Sequence, residues 1–395
     1  MKQARQTEAN GKMRNMLTVS VIMPLFNKEA FVEQAMASVL AQTLSDIELI
    51  VVDNGSTDGS RDAAERRAQA DGRVVLLDEA RPGASAARNR ALSRARGEFL
   101  AFVDADDFID PSLLEKAVAQ ARRTQADIVC FGHDHYYQDQ DVYLYPVRPQ
   151  APASFAPEDL GGRLLFAGSP NAWSKLFRRS FVEGCSERFD EGLATAEDML
   201  FTFSLMMRAG RIATVDELLY HYRKDVAGSL TNRGVSRGVQ SFDCLERLLG
   251  IAGATPHADA FREGIVNESL EQVQYLTQIA CDAKEFSLQF EEFRKNWLPR
   301  LDALAAEGRI YPEVRHLYER YRRVENPLGL MYELWQESLE VLRHLEGEHE
   351  KTLREGGRTA GELRARVAEL EGSTTYRVGR AVMALPCALK DRARR

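Results

Sequence analysis

The chain has 395 residues, 44% of them apolar and 28% charged, with a net charge of −7. This suits a core-forming chain of two or three domains and gives no support to nucleic-acid binding. Five scattered cysteines (130, 185, 244, 281 and 387) without a CxxC pair imply reduced thiols and a cytoplasmic location, and no apolar run approaches the ~20 residues that span a bilayer.

Residues 1–16 are polar, mixed in charge and free of a signal-peptide core, so they read as a disordered tail. Residues 17–23 (LTVSVIM) form a strand that Pro24-Leu25-Phe26-Asn27 breaks. A helix over 29–41 follows, with Phe31, Val32, Ala35, Met36, Val39 and Leu40 on one apolar face. Residues 47–52 form the second strand and end in Asp53 and a run of turn and cap residues, with a helix starting near Ser60. A third strand covers 74–77, and a helix over 83–96 has Gly97 at its C-terminal end. Residues 99–103 are a buried parallel strand, 111–124 a helix and 127–131 a further strand. Alternating strands and helices predict an α/β fold with a doubly wound, mainly parallel sheet.

The strand over 99–103 runs directly into Asp104, Asp106 and Asp107. Ligands of open α/β sheets bind at the carboxyl ends of strands. Carboxylates so close repel one another unless a cation lies among them, and their hard oxygens suit Mg²⁺ or Mn²⁺. A divalent metal holding a phosphorylated ligand is one reading; a solvated acidic turn capping the next helix is the other. The chain lacks GxGxxG after its first strand and GxxxxGK[ST] anywhere, which removes the dinucleotide-binding and P-loop alternatives.

Four ordered motifs, VSVIMPLFN at 19–27, IELIVVDNGSTDGS at 47–60, GASAARNRAL at 83–92 and GEFLAFVDADD at 97–107, resemble the family 2 glycosyltransferases of the GT-A fold. The resemblance covers roughly residues 17–125 as a nucleotide-sugar-binding half and implies bacterial surface-polysaccharide chemistry. It implies that Pro24 and Asn27 lie against the nucleotide, that Asp53 accepts a hydrogen bond from uracil of a UDP-sugar, and that Arg88 approaches the donor. It makes Asp104 and Asp106 a DxD pair touching the ribose and the metal, with Asp107 left as a cap for the following helix. Read alone, Asp53 equally suits a turn cap and Arg88 a surface ion pair. Arg81-Pro82-Gly83 departs from the family pattern, which has asparagine two residues before the glycine.

Residues 126–235 form the expected acceptor half. His133, Asp134 and His135 alternate along a strand and read as a solvent-facing edge rather than a metal site; Tyr143 and Tyr145 suggest a hairpin with Tyr136 and Tyr137. Trp173 and Lys175 sit in a WxKL pattern similar to the family's acceptor-side segment; the plainer reading makes Trp173 core and Lys175 surface. Glu197 and Asp198 open a helix, where acids are favoured by the helix dipole alone. The resemblance makes them the ED motif, with Glu197 on the acceptor side and Asp198 the catalytic base of an inverting displacement. It also brings His221 and Arg223, on one face of a strand, and the following Gly228-Ser229 near the donor diphosphate, a structural role for the two being the equal alternative.

From residue 236 helical patterns dominate, giving a helical domain to about 330 and charged helices over 331–372. Trp335, Leu342, His349, Gly356, Leu363 and Leu370 recur every seven residues, a pattern weakened by the histidine and Gly356-Gly357; it reads as two helices or a short coiled coil, and pairing between chains would make a homo-oligomer. Residues 375–395 carry six basic side chains against Asp391 beside an apolar side, the pattern of a peripheral membrane contact or of a solvated basic tail. Together these readings give a Mn²⁺- or Mg²⁺-dependent glycosyltransferase. It acts from a nucleotide sugar, a UDP-sugar by preference, to a glycan or lipid-linked acceptor at the inner face of the membrane. The alternatives are a non-catalytic glycan-assembly scaffold and, less favoured, a nucleotidyltransferase.

Overall fold

The computed structural model describes residues 17–139, 141–224, 240–280, 283–355 and 367–368. The expectations for 1–16, Gly228-Ser229 and 375–395 lie outside these residues. The chain divides into two units. One holds the described residues up to His135 with Tyr145–Arg223; the other holds Tyr136–Leu144 and the described residues from Lys224 onward.

The described strands form one sheet, most of it in the first unit. In chain order its strands are β1 (Val19–Leu25), β2 (Ile47–Asp53), β3 (Val74–Asp78), β4 (Phe99–Phe102), β5 (Phe108–Ile109), β6 (Ile128–Tyr137), β7 (Val142–Val147), β8 (Ser154–Phe155), β9 (Lys175–Arg178) and β10 (Ile212–Arg223). The sheet order is β3-β2-β1-β4-β9-β6-β10-β5, with β7 on β6 and β8 on β10. The pairs β2–β3, β1–β2 and β1–β4 are parallel. Past β4 the sheet changes sense: β4–β9, β6–β9, β10–β5 and β10–β8 are antiparallel. The helices are α1 (Val32–Leu40), α2 (Ser60–Ala70), α3 (Ala84–Leu92), α4 (Leu113–Thr124), α5 (Arg179–Cys185) and α6 (Glu197–Met206). Every residue of β2 and β4 is buried, as strands in the middle of a covered sheet require. Phe102 packs edge-on against Phe177, Phe189 and Phe201, tying β4 to β9 and α6.

Several boundaries differ from the sequence reading. Pro24 does not break β1: it and Leu25 pair with Val52 and Asp53, beyond the point where β4 stops pairing at Ile22–Phe102. The third helix is shorter than 83–96, ending at Leu92. Gly97 therefore does not end it. A side chain there would put Cβ 2.4 Å from the Ser20 nitrogen, so the glycine allows close approach of two backbones. His133 and Asp134 are not on a solvent-facing edge, because β6 lies between β9 and β10 and both side chains are buried. The hairpin of β6 with β7 forms as expected, with the Tyr136 and Tyr143 rings 4.9 Å apart.

The second unit is helical: α7 (Gln240–Ala252), α8 (Ala258–Ile279), α9 (Ala283–Glu292), α10 (Leu298–Ala306), α11 (Arg315–Arg323) and α12 (Pro327–Glu355). Its core gathers Phe242, Phe293, Trp297 and Tyr321, all essentially without solvent exposure. Glu268 is buried beside Gln272, and burial lifts its carboxyl to about 8. α12 begins at Pro327, before the expected start at 331, and Trp335 in the heptad series is buried. The other positions of that series fall outside the described side chains.

Candidate active site

The loops after β1, β2 and β3 are joined by side chains that close their turns. Asn27, at φ +50°, accepts from the Thr57 nitrogen at 2.8 Å, while its own backbone nitrogen donates to Ser56 Oγ at 3.1 Å. The Lys28 nitrogen donates to Ser60 Oγ at 2.6 Å. Asn54 Nδ2 donates to the Glu79 and Arg81 carbonyls, and its Oδ1 accepts from the Gly83 nitrogen at 2.8 Å. Gly83 sits at φ +113°, which only glycine adopts without strain. Asp53 ends β2, is buried, and accepts from the Ser56 nitrogen at 3.3 Å, with Arg61 3.6 Å away. Arg81 lies at the rim, bonded to Glu79 and Glu191.

The acidic turn follows β4. The Asp107 nitrogen donates to the Asp104 carbonyl at 3.1 Å, closing it. Asp107 is not a helix cap. It is fully buried, accepting from Tyr220 Oη at 2.6 Å and from the Arg223 nitrogen at 2.8 Å. Burial, with Asp106 and Asp104 nearby, pushes its carboxyl well above the usual range. Arg223 Nε holds the Asp106 carbonyl at 2.7 Å, and its guanidinium lies over Phe31 and Phe108. Arg223 thus braces the turn from behind. His221 is close by: its Nδ1 is 2.9 Å from Asp134 Oδ1, and its ring lies 4.8 Å from Phe108.

Two cations meet the DxD pair. Lys28 Nζ lies 2.5 Å from Asp106 Oδ2. Arg88, buried on α3, donates from Nη2 to Asp104 Oδ1 at 3.1 Å and from Nη1 to Glu197 Oε1 at 2.9 Å. Burial raises the Asp106 carboxyl and outweighs Lys28. Among the described residues no group of three or more His, Cys, Asp or Glu side chains is arranged to hold a metal ion. Asp104 nevertheless lies close enough to Asp106 to help raise its carboxyl, and a Mg²⁺-type ion needs only one or two acids, the rest being completed by substrate phosphates.

Asp198 follows Glu197 at the start of α6, where Ala196 takes a left-handed conformation (φ +65°) that turns the chain into the helix. Burial and the Glu197 charge raise its carboxyl to about 7, against the pull of Arg88. Asn89, one residue after Arg88, holds the approach to α6 through the Phe189 backbone and Glu191.

Trp173 and Lys175 lie deeper than the surface reading gave for Lys175. Trp173 stacks on Tyr220 (4.5 Å) and Tyr222 (5.7 Å). Lys175 is fully buried, its ammonium donating to the Ser169 and Asn171 carbonyls and to Ser174 Oγ, and burial lowers its basicity. It shapes the loop before β9 from inside. The structure therefore brings together Asn27, Asp53, Arg88, Asp104, Asp106, Glu197 and Asp198 through shared loops and ion pairs, with Arg223 behind them and Pro24 within β1. Sequence reasoning missed Lys28 and Tyr220. A lysine directly after Asn27, in a loop bound for an acidic strand end, was the only available signal for the first.

Residues 20–183 match the family model described as glycosyl transferase family 2. Among curated proteins, the chain is 35% identical over 211 residues to the uncharacterized glycosyltransferase EpsJ of Bacillus subtilis, covering 52% of this chain and 61% of that one. It is 31% identical over 220 residues to the poly(ribitol-phosphate) beta-N-acetylglucosaminyltransferase TarS of Staphylococcus aureus, covering 52% of this chain and 35% of TarS. The chain spans about three fifths of the length of the two Bacillus relatives, EpsJ and EpsH, that it matches. In three dimensions it resembles S. aureus TarS 1-349 in complex with UDP-GlcNAc, with a TM-score of 0.57 at 21% identity over 78% of this chain and 92% of that one. No described helix is long and apolar enough to cross a membrane.

Proposed function

Because the chain carries a glycosyl transferase family 2 domain of the GT-A fold, we propose that it transfers a sugar from a nucleotide sugar to a hydroxyl of a glycan or lipid-linked acceptor. The observation that carries this reading is Arg88. One buried guanidinium binds Asp104 at the end of β4 and Glu197 beside Asp198, so donor-side and acceptor-side acids share one anchor.

In this reading the first three loops form the nucleotide's seat, with Pro24, Asn27 and Asp53 beneath it and the Asp53 carboxylate facing a uracil. A UDP-sugar is the favoured donor. Asp104 and Asp106 would hold Mn²⁺ or Mg²⁺, which when bound offsets the charge that grows on the departing diphosphate. Asp198 takes the proton of the acceptor hydroxyl; a carboxyl raised to about 7 is a stronger base than an ordinary aspartate and is ionised above neutral pH. With the base on one side of the sugar and the leaving group on the other, a single displacement inverts the anomeric carbon. Trp173 and Lys175 shape the acceptor side, Lys175 through the loop it holds. His221 and Arg223 act on the donor side, and Arg223 does so by positioning the acidic turn. A surface polymer is the acceptor class we favour, in line with the activity named for TarS. The setting is the cytoplasmic face of a membrane, reached through residues 375–395, and the C-terminal helices pair two chains.

The test is UDP release from a panel of UDP-sugars with and without Mn²⁺. Metal-dependent release from one donor is expected, and Asp106→Ala abolishes it. Equal turnover by Asp106→Ala sinks the reading, as does absence of release from every nucleotide sugar tried.

A further inference from the structure

Lys28 is a firmly placed side chain that the mechanism above does not use. Its ammonium lies 2.5 Å from Asp106 Oδ2, and both side chains are largely shielded from water (14% and 17% exposed). Its backbone is fixed. The Lys28 nitrogen donates to Ser60 Oγ, Asn27 before it is tied to Ser56 and Thr57, and the Glu29 nitrogen after it donates to Asp58 Oδ2. The four-carbon stem is consequently the only part of Lys28 free to move. A lysine ammonium is a compact charge on a flexible stem, able to exchange one anion for another nearby without moving the main chain.

In the reading above, the carboxylate that Lys28 holds is also one that a divalent cation would take. Two cations against one carboxylate repel each other steeply in a shielded site. We propose that the Lys28 ammonium and the divalent cation are alternative occupants of one position on Asp106. In the donor-free protein Lys28 neutralises the carboxylate and keeps metal affinity low. A nucleoside diphosphate arriving with its cation supplies new anionic oxygens, to which Lys28 turns as the metal takes Asp106. Metal and nucleotide therefore enter together, and Lys28 makes their binding mutually dependent. The inference rests on the reading of Asp106 as a metal ligand and deepens it.

The experiment measures Mn²⁺ affinity by the electron paramagnetic resonance of free Mn²⁺, without nucleotide and with saturating UDP. It compares the full-length chain with Lys28→Met, Lys28→Arg, Asp106→Asn and the Lys28→Met/Asp106→Asn double variant. Native-like melting of each is checked first. In the unaltered chain UDP tightens Mn²⁺ binding. Lys28→Met tightens nucleotide-free Mn²⁺ binding by ~10-fold or more and shrinks the gain from UDP correspondingly. Lys28→Arg keeps a cation in place and retains weak nucleotide-free binding. The gain from Lys28→Met vanishes when Asp106 is already Asn, which a general charge effect would not do. Unchanged nucleotide-free affinity in Lys28→Met, tight binding in Lys28→Arg, or the same gain in the Asp106→Asn background overturns the inference. Failure of the underlying reading looks different: Asp106→Asn then leaves Mn²⁺ binding with UDP unaltered.

Discussion

Arg88 and Glu197 lie 109 positions apart in the chain, yet their side chains meet at 2.9 Å inside the protein, with Asp104 on the guanidinium's other arm. A single planar cation thus fixes the spacing between the acidic turn after β4 and the start of α6. Lysine, with one charged atom, has no means of forming the same fork.

Removing that cation leaves two carboxylates facing each other without compensation. Arg88→Met is expected to cost about 3–5 kcal/mol in urea unfolding, the range for breaking one side of a buried ion pair. Arg88→Lys keeps one of the two pairs and falls between. A loss within error of zero for Arg88→Met would show that the pairs contribute nothing.

Turnover should depend on the ionisation of Asp198. As the proposed base, Asp198, its carboxyl raised to about 7, would have to lose its proton before accepting one from the acceptor. The rate at saturating substrates therefore rises with pH through about 7 and levels off above it. An acid limb centred near pH 4 contradicts this.

The same shift has a stability consequence. The folded chain holds the Asp198 proton more tightly than the unfolded chain. Its favourable contribution is full below the ordinary aspartate range and is lost as pH rises through about 7. At pH 8 the ionised, half-buried carboxylate is a burden that Asp198→Asn removes. That variant should stop transfer by about 10²–10⁴-fold, keep UDP affinity, and melt higher at pH 8 by about 2–4 °C per kcal/mol relieved. Calorimetry at pH 5 and pH 8 checks the sign, since the difference shrinks at pH 5.

Tyr220→Phe removes the hydroxyl that donates to buried Asp107 and accepts from the Asp104 nitrogen. A cost of about 1–3 kcal/mol in urea unfolding is expected, since Asp107 keeps only the Arg223 nitrogen and the Asp104 nitrogen loses its acceptor. Because the acidic turn loses its brace, KM for the donor should rise more than KM for the acceptor. Equal changes in both would place Tyr220 outside donor positioning.

The strand ends were legible because β1, β2 and β4 are mostly apolar runs that stop at acids or turn residues, a signal that survives without knowledge of partners. The acidic turn was legible for the same reason. What the chain hid was long-range. Nothing local to Asp107 indicates that Tyr220 and Arg223 will bury it, so it read as a cap. His133 and Asp134 read as an edge because the flanking strands β9 and β10 come later in the chain. Lys175 resembled a surface lysine since its three oxygen partners are backbone carbonyls and a serine, which carry no sequence signal of their own.

The brace on the acidic turn also sets an order of assembly. Asp107 receives its partners from Tyr220 and Arg223, 113 and 116 positions further along the chain. A nascent chain that has emerged only as far as α4 holds every donor-side acid of the proposed site but has nothing to bury Asp107 against. The turn reaches its final geometry only when β10 is added at the far side of the sheet. A chain interrupted before β10 should therefore leave the acidic turn of the proposed site without its brace.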